Sequence, residues 1–300
     1  MANLKVNFLG IEFKNPILSA SGTFGFGEEY EELIDVSKLG GICSKGLTLK
    51  PKEGNHGTRI WETQMGLMNS IGLQNPGIKS FISREINIMK KFNTNIIVNL
   101  GGNTEDEYLE GIKLLNESEV DIIELNISCP NVKEGGMAFG IKSSTAYDIV
   151  NKCKKISDKP LMVKLSPNAE SIPEISKACE AAGADALSLI NTFNAMAVDI
   201  YKRKPVFDNI YAGLSGPAVK PLALRMVHEA KKSVKIPICG LGGISSGSDA
   251  LEFIMAGASL VQVGTSNFVK PDKCIDIIEE VEEFLEIENI KDIDEITGII

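Results

Sequence analysis

The sequence has few histidines, no closely spaced cysteines and no long apolar run. Its two histidines are His56 and His228, and its six cysteines include no Cys-x-x-Cys pair, which excludes a zinc knuckle or a locally ligated iron–sulfur cluster. No stretch approaches the roughly 18 apolar residues that a membrane-spanning helix requires. The first residues lack the basic and apolar pattern of a signal peptide. We therefore expect a cytoplasmic protein, with no membrane partner and no disulfides.

Basic residues are in the minority, with 31 Lys and Arg against 40 Asp and Glu and a net charge of −9. They form no cluster, which argues against a nucleic acid or an anionic membrane as partner. An anionic small molecule is compatible with this composition if a few lysines converge in a cleft. The apolar fraction of 43% and the charged fraction of 24% are those of an ordinary globular protein.

Short, apolar, β-branched runs alternate with helical patterns along the whole chain. Eight runs predict strands at 16–21, 41–47, 95–100, 121–127, 161–165, 184–190, 237–241 and 260–263. Helices are predicted near 28–38, 77–91, 105–116, 144–156, 172–182, 218–233, 247–256 and 271–286. Eight such repeats predict an α/β fold, a closed (β/α)8 TIM barrel that spans residues 1–300 as a single domain. Residues 4–14 alternate weakly around Gly10 and predict an N-terminal hairpin that caps the barrel floor.

Three connections, 48–76, 128–143 and 191–217, are too long to be plain turns. Each follows a predicted strand, so in a barrel all three lie at the C-terminal face, where active sites form. Loops longer than about 12–15 residues are usually functional or disordered. The sequence therefore predicts long, functional loops at that face.

All eight predicted strands end in a polar residue or in glycine. Each such residue has an ordinary explanation by itself, but in a barrel they converge on one mouth. Strand alternation directs Asn99, Asn126 and Lys164 away from the helices, and a lysine aimed into a barrel interior needs a partner. The strand ends are Ser21, Lys45, Asn99, Asn126, Lys164, Asn191, Gly242–Gly243 and Gly264–Thr265.

The last two predicted strands carry a phosphate-binding pattern. Gly240-Leu-Gly-Gly-Ile-Ser and Val263-Gly-Thr-Ser each place glycines just before a helix begins. Exposed backbone amides and helix N-termini bind phosphate, and loops 7 and 8 form the usual phosphate site of barrels. No strand is followed by Gly-x-Gly-x-x-Gly, so a dinucleotide-binding Rossmann site is not indicated.

One cysteine differs from the rest. Cys153 and Cys179 fall in helical patterns, Cys43 and Cys239 in strands and Cys274 at a helix start, which favours buried, structural roles. Cys129 follows the strand that ends at Asn126, and Pro130 holds it in an extended conformation. It is either packing or a thiol that faces a ligand. With no histidine or carboxylate at the predicted strand ends, it is the best candidate for a base or nucleophile.

These residues lie within stretches that resemble the class 1 dihydroorotate dehydrogenases over essentially the whole chain. The similar stretches are SASGTFGFGEEY (19–30), SKGLTLKPKEGN (44–55), NSIGLQNPG (69–77), NLGG (99–102), ELNISCPNVKEGG (124–136), VKLSPN (163–168), INTFNAM (190–196), GLSGPAVKPLALR (213–225), GLGGISSG (240–247) and VQVGT (261–265). A cysteine before the proline at 130 is typical of class 1. NSIGLQNPG and SCPNVKEGG are more similar to the B type than to the fumarate-using A type.

The resemblance implies a flavin enzyme of pyrimidine (UMP) biosynthesis that oxidises (S)-dihydroorotate to orotate. Hydride would pass to one FMN per chain, with Cys129 as general base and Lys164 stabilising the reduced flavin. Substrate binding is implied for Lys45, Asn69, Ser70, Ile71, Gly72, Leu73, Asn126, Asn191 and Thr192. FMN binding is implied for Ser21, Lys45, Gly46, Asn99, Asn126, Lys164, Ile190, Gly216, Gly242, Gly243, Gly264 and Thr265.

The resemblance to the B type also implies a partner chain. That electron-transfer subunit would carry FAD and a 2Fe-2S cluster and use NAD+, in a heterotetramer with two copies of each chain. Three alternatives stay open: an A-type homodimer that reduces fumarate, a flavin-free phosphate-binding barrel with Lys164 as a Schiff-base amine, and a non-catalytic scaffold.

Overall fold

The chain folds into a closed barrel of eight parallel strands. A computed structural model describes residues 2–128 and 137–300. Each barrel strand pairs with the next along the chain, and the last pairs with the first, which confirms the predicted (β/α)8 barrel. The barrel strands are Ile17–Ser19, Gly41–Cys43, Asn95–Leu100, Ile122–Asn126, Leu161–Lys164, Ala186–Leu189, Ile238–Leu241 and Leu260–Val263.

The barrel strands are buried almost throughout because both of their faces are covered. All of their residues are buried except Asn95, which is half-buried. Parallel pairing places Asn126 beside Lys164, and Lys164 beside Ser188 on the following strand. Since residues that pair in register share a face of the sheet, polar side chains from neighbouring strands meet inside the barrel.

Helices on the outside of the barrel cover the strands. They comprise Glu28–Glu31, Ile78–Ser80, Ile86–Lys91, Glu105–Asn116, Met137–Ile141, Ser143–Lys154, Ile172–Ala181, Lys220–Ser233, Gly247–Met255, Ser266–Val269 and Lys273–Ile287, with a π-helical stretch at Phe81–Glu85 and 3-10 turns at Val36–Lys38, Pro217–Val219 and Ile293–Ile296. Thr104, Ser171 and Ser246 cap three of the helices, since each side chain accepts a hydrogen bond from the amide three residues later. In the described part of the chain, no helix combines the length and apolarity needed to cross a bilayer.

The single helix predicted over 28–38 is wrong. The α-helix ends at Glu31, and a separate 3-10 turn covers Val36–Lys38. Asp35 starts that turn, because its side chain accepts a hydrogen bond from the amide of Ser37. A side chain that caps a new turn competes with continuation of the preceding helix, so the segment breaks there.

The N-terminal hairpin is present as predicted. Val6–Phe8 pairs with Ile11–Phe13 in an antiparallel register. Leu9 and Gly10 both have positive φ, as a two-residue hairpin turn requires. Asn95, at the amino end of its barrel strand, donates its side-chain amide to the carbonyl of Glu12. The hairpin therefore lies at the amino end of the barrel.

Two of the long connections fold together into a second, antiparallel sheet. Its strands, in spatial order, are Phe193–Met196, Tyr211–Ser215, Gly66–Asn69 and Ile60–Thr63. A short pair, Val198–Asp199 with Lys204–Pro205, extends the later connection. The sequence does not predict these strands. They are short and are stabilised by pairing between two distant loops, which single-segment periodicity does not detect.

Candidate active site

A cleft opens at the carboxyl ends of the barrel strands, with residues of the antiparallel sheet on its wall. The cleft is open to solvent, and the space inside it amounts to about 1350 Å³ when its mouth is included. It brings together nearly all of the residues that the sequence predicts for the site. Those on its wall are Ser21, Lys45, Gly46, Asn69, Ile71, Gly72, Leu73, Asn99, Asn126, Lys164, Ile190, Asn191, Thr192, Gly216, Gly242, Gly243, Gly264 and Thr265.

Two predicted residues stand apart from this set. Ser70 is buried behind the wall, where its hydroxyl oxygen accepts hydrogen bonds from Asn55 Nδ2 at 3.0 Å and Asn209 Nδ2 at 3.3 Å. Its side chain therefore supports the loop rather than lining the cleft. Cys129 lies outside the described residues, so the structure does not place it.

Three asparagines form a hydrogen-bonded row across the cleft wall. Asn126 Nδ2 donates to Asn99 Oδ1 at 3.1 Å, and Asn191 Nδ2 approaches Asn126 Oδ1 at 3.4 Å. Ser128 joins the row, since its hydroxyl donates to Asn126 Oδ1 at 2.9 Å and accepts from Asn191 at 2.7 Å. The fixed orientation of these amides presents a pattern of donors and acceptors suited to a flat, polar ligand.

Lys164 is almost completely buried, with 3% of its surface exposed. Its ammonium donates to the hydroxyl oxygen of Ser21 at 3.1 Å and lies 3.6 Å from Glu124 Oε2. A buried lysine needs such partners because burial without them disfavours its charge. Lys164 therefore places a positive charge on the cleft wall, and the Glu124 carboxylate lies behind it.

Glu124 is a site residue that the sequence does not predict. The site residues predicted on the barrel strands lie at the strand ends, whereas Glu124 lies two residues before Asn126 on the same side of the strand. Burial by itself would raise the pKa of this carboxyl. The nearby Lys164 ammonium and hydrogen bonds from Asn99, Ser188 and Gln262 outweigh burial, and the pKa is lowered. Glu124 is therefore ionised at neutral pH.

Lys45 supplies a second cation to the wall, at a half-buried position. Burial lowers the pKa of its ammonium, and the nearby positive charge of Arg59 lowers it further, while Glu29 opposes the change. Two lysines thus converge in one cleft of a protein with net charge −9, as a site for an anionic ligand requires.

The corner of the cleft formed by the last two strands is lined by glycine. Gly243 has φ +82°, and a Cβ built on it would lie 2.8 Å from both the Gly216 carbonyl oxygen and the Lys220 amide nitrogen. A Cβ on Gly264 would make only ordinary contact, with the Ala20 side chain at 3.6 Å, so the crowding at Gly243 is not repeated there. The absence of a side chain at Gly243 allows close approach to the backbone in this corner, as a phosphate-binding site requires.

The residues of the cleft fit FMN, the cofactor that the resemblance implies. The glycine corner suits its phosphate, and the buried Lys164 suits a flavin that gains negative charge on reduction. Gln262 also indicates that the cleft binds a ligand. Its Nε2 donates to Glu124, while its Oε1 is buried with no hydrogen-bond partner among the described residues. A buried orphan acceptor on a cleft wall indicates that a ligand supplies the donor.

The other cysteines are structural, as the sequence predicts. Cys43, Cys153, Cys179, Cys239 and Cys274 are all buried and free. Burial raises the pKa of Cys153, Cys179 and Cys274 to about 12, so these thiols stay protonated near neutral pH. Among the described residues, no cluster of three or more His, Cys, Asp or Glu side chains is placed to hold a metal ion.

The fold and the cleft define a class of protein: a (β/α)8 barrel with a polar, partly glycine-lined cleft at its C-terminal face, where the active sites of such barrels lie. The family model for dihydroorotate dehydrogenase matches residues 3–285. The chain is 57% identical over 300 residues to the dihydroorotate dehydrogenase B (NAD(+)) catalytic subunit of Petrotoga mobilis, covering 100% of both chains. It is 52% identical to the protein of the same name from Thermoanaerobacter pseudethanolicus, covering 99% of this chain and 98% of that one. The chain therefore belongs to the dihydroorotate dehydrogenase family.

Proposed function

We propose that this chain oxidises (S)-dihydroorotate to orotate in pyrimidine biosynthesis, as the FMN-containing catalytic subunit of a B-type dihydroorotate dehydrogenase. The observation that carries the proposal is the convergence of buried Lys164, the asparagine row and the glycine corner in one cleft. Membership of the family, and relatives named for the B-type activity over their full length, agree with it.

FMN would lie with its phosphate against Gly242, Gly243, Gly264 and Thr265, in the glycine corner. When bound, FMN supplies the hydride acceptor for the reaction. Ser21, Gly46, Asn99, Ile190 and Gly216 would contact the rest of the cofactor, together with Lys45 and Asn126. Lys164 would hold its positive charge against the flavin, where preorganised electrostatic stabilisation is most effective.

The substrate would occupy the side of the cleft formed by the connection 48–76 and the asparagine row. Lys45 would bind the carboxylate of dihydroorotate, since it is a half-buried cation on the wall. Asn69, Ile71, Gly72 and Leu73 would enclose the ring, with Ser70 holding their loop from behind. Asn126, Asn191 and Thr192 would hydrogen-bond the ring's polar edge, which aligns its C–H bonds for reaction.

Cys129 would act as the general base that removes the C5 proton of dihydroorotate. Each of the five described cysteines is buried and free, and the pKa of each is raised by burial, so none competes for this role near neutral pH. The proton would leave as hydride departs from C6, which oxidises the C5–C6 bond to a double bond.

A separate electron-transfer subunit would complete the enzyme. The relatives are named as catalytic subunits, which implies a partner chain for them. For this chain we propose a cytoplasmic heterotetramer with two copies of each chain, in which the partner carries FAD and a 2Fe-2S cluster and passes electrons to NAD+. Residues 1–300 would form the FMN- and dihydroorotate-binding domain of that assembly. The relatives' names favour this over the A-type, fumarate-reducing alternative.

The test is reduction of the bound flavin by dihydroorotate. The isolated chain should purify yellow, release FMN on denaturation and lose its flavin absorbance when dihydroorotate is added without oxygen. A colourless chain that does not take up FMN would exclude the proposal and favour a flavin-free barrel.

A further inference from the structure

Glu124 is the centre of a buried polar cluster that joins six barrel strands. Its Oε1 accepts from Ser188 Oγ and Gln262 Nε2, each at 2.8 Å. Its Oε2 accepts from Asn99 Nδ2 at 2.6 Å, lies 3.6 Å from Lys164 Nζ and receives the Cys43 thiol at 3.5 Å. Each of these partners lies on a different strand, and Glu124 has no exposed surface.

Stability alone does not explain a charge at this position. Removing a carboxylate from water is expensive, and replacing a buried ion pair by well-packed apolar residues is often neutral or stabilising. The interiors of (β/α)8 barrels are usually filled by branched apolar side chains. A fully satisfied carboxylate in such an interior therefore suggests a role for its charge or its hydrogen-bonding pattern.

The positions of Glu124's partners indicate that its charge acts on the cleft. Lys164, Asn99 and Gln262 all lie on the cleft wall, whereas Glu124 itself lies behind it. Three of the side chains that line the cleft are thus anchored by one carboxylate.

The carboxylate also fixes which way the asparagine amides point. An ionised carboxylate only accepts hydrogen bonds, so Asn99 must turn its Nδ2 toward Glu124. Asn99 Oδ1 then faces Asn126 and accepts from its Nδ2 at 3.1 Å. Asn126 in turn directs its Oδ1 toward Ser128 and Asn191. The donor and acceptor pattern of the whole row follows from the charge state of Glu124.

We propose that Glu124 is a positioning residue for the flavin reaction: it orients Asn99 and Lys164 and sets the electrostatic balance behind the wall of the cleft that would hold FMN. This inference rests on the proposed function, because it assigns Glu124 a role toward FMN. Lys164 and Glu124 carry opposite charges 3.6 Å apart, so the carboxylate offsets part of the effect of the lysine charge on the cleft. Removing the carboxylate takes away a negative charge behind the cleft wall, while Lys164 keeps its hydrogen bond to Ser21, and this favours a flavin that has gained negative charge.

The experiment measures the reduction potential of bound FMN by equilibration with a dye of known potential. Glu124→Gln should shift it to more positive values. A tenfold gain in relative affinity for the reduced cofactor corresponds to about 30 mV for a two-electron couple. Lys164→Gln should shift it to more negative values, and the double variant should return toward the parent because both charges are gone.

A matched control is Glu85→Gln. Glu85 is also buried, lies 3.7 Å from Arg84 and is not on the cleft wall, so its variant should keep the parent's potential. FMN affinity of the apo-chains is measured in parallel by fluorescence titration. A purely structural role for Glu124 would lower thermal stability and leave the potential unmoved.

The outcomes separate the inference from the proposed function. A Glu124→Gln chain that binds FMN with the parent's potential overturns the inference alone. If that variant does not fold, Lys164→Gln is compared with the double variant, and equal potentials overturn the inference. A parent chain that does not bind FMN contradicts the proposed function as well as the inference.

Discussion

Asn191 Nδ2 donates a hydrogen bond to the hydroxyl oxygen of Ser128 over 2.7 Å. Ser128 is fully buried and also donates to Asn126, so it is tied to two of the asparagines proposed to bind substrate. It is the immediate neighbour of Cys129 in the chain. The residue next to the proposed base is therefore anchored in the substrate-binding row.

The pH dependence of flavin reduction tests Cys129 as the base. An ordinary thiol has a pKa of about 8.5, so only a small fraction is thiolate near neutrality. Reduction of the flavin by dihydroorotate should accelerate as pH rises until the thiol is ionised. Cys129→Ser should be much slower near neutrality and recover some activity only at high pH. Rapid mixing, with flavin absorbance followed across pH, measures these rates.

Cys153→Ala serves as the matched control for these experiments. Cys153 is buried in the helix Ser143–Lys154, and its variant should keep the parent's rate and pH profile. Cys129→Ala should still bind FMN and orotate but reduce the flavin very slowly. An alanine variant at position 129 that is as fast as the parent would show that this thiol only packs.

Loss of the Lys164 charge should slow the chemical step. Lys164→Ala removes a preorganised cation from the cleft wall, and removal of one such group typically costs about 3 kcal/mol, or roughly 10²-fold in rate. Single-turnover reduction of bound FMN measures the effect. Lys154→Ala is the control, because Lys154 pairs with Asp185 at 2.6 Å and does not line the cleft. Retained FMN with a near-normal reduction rate in Lys164→Ala would contradict the assigned role.

The isolated chain should reduce its flavin with dihydroorotate and yet transfer few electrons to NAD+. The sequence has no Rossmann fingerprint and no cysteine spacing for an iron–sulfur cluster, so NAD+ reduction would require the partner. Turnover is followed by NADH absorbance, with fumarate tested as a second oxidant. Strong NAD+ reduction without added protein would contradict the B-type assignment, and fast turnover with fumarate would favour the A type.

The sequence predicts the barrel well because its strands are buried on both faces. Continuous apolar runs separated by helical periods leave little ambiguity, and the strand Leu260–Val263 is predicted to the residue. The ends of the strands then lead to the cleft, since parallel strands in a barrel end at one face.

The features that the sequence does not reveal depend on contacts between distant segments. The antiparallel sheet forms only when Gly66–Asn69 meets Tyr211–Ser215, which are far apart in the chain. Glu124 lies below the strand end, and its importance follows from partners on other strands. Strand alternation places it on the same side as Asn126, so that signal was present in the sequence.

The ion pair of Lys220 and Asp249 should stabilise the protein in a pH-dependent way. Their atoms Nζ and Oδ1 are 2.7 Å apart, and both side chains are partly buried. Burial would raise the pKa of Asp249, but hydrogen bonds from Lys220 and Ser245 lower it overall. A lowered pKa stabilises the fold above the ordinary Asp value of about 3.9 and ceases to do so as pH falls through the folded value.

Lys220→Ala should therefore reduce the free energy of unfolding by on the order of 1 kcal/mol at neutral pH. The difference from the parent should shrink as pH falls below the ordinary Asp value. Urea unfolding at several pH values measures it. Lys177→Ala is the control, since its pair with Glu174 is exposed and should contribute little. A Lys220→Ala deficit that is constant down to strongly acidic pH would contradict this account.

Gly243→Ala should abolish tight FMN binding while leaving most of the fold intact. The backbone of Gly243 has φ +82°, and an added Cβ would lie 2.8 Å from the Gly216 carbonyl oxygen and the Lys220 amide. Both contacts are with backbone atoms, so the clash can be relieved only if the backbone of the glycine corner shifts.

Gly10→Ala separates this clash from backbone strain, because Gly10 has φ +81° and nothing within 4 Å of the added Cβ. Both variants should lose about 1–2 kcal/mol of stability from the left-handed conformation. Only Gly243→Ala should lose FMN affinity in a fluorescence titration of the apo-chain, and equal affinities in the two variants would show that the corner does not hold the phosphate.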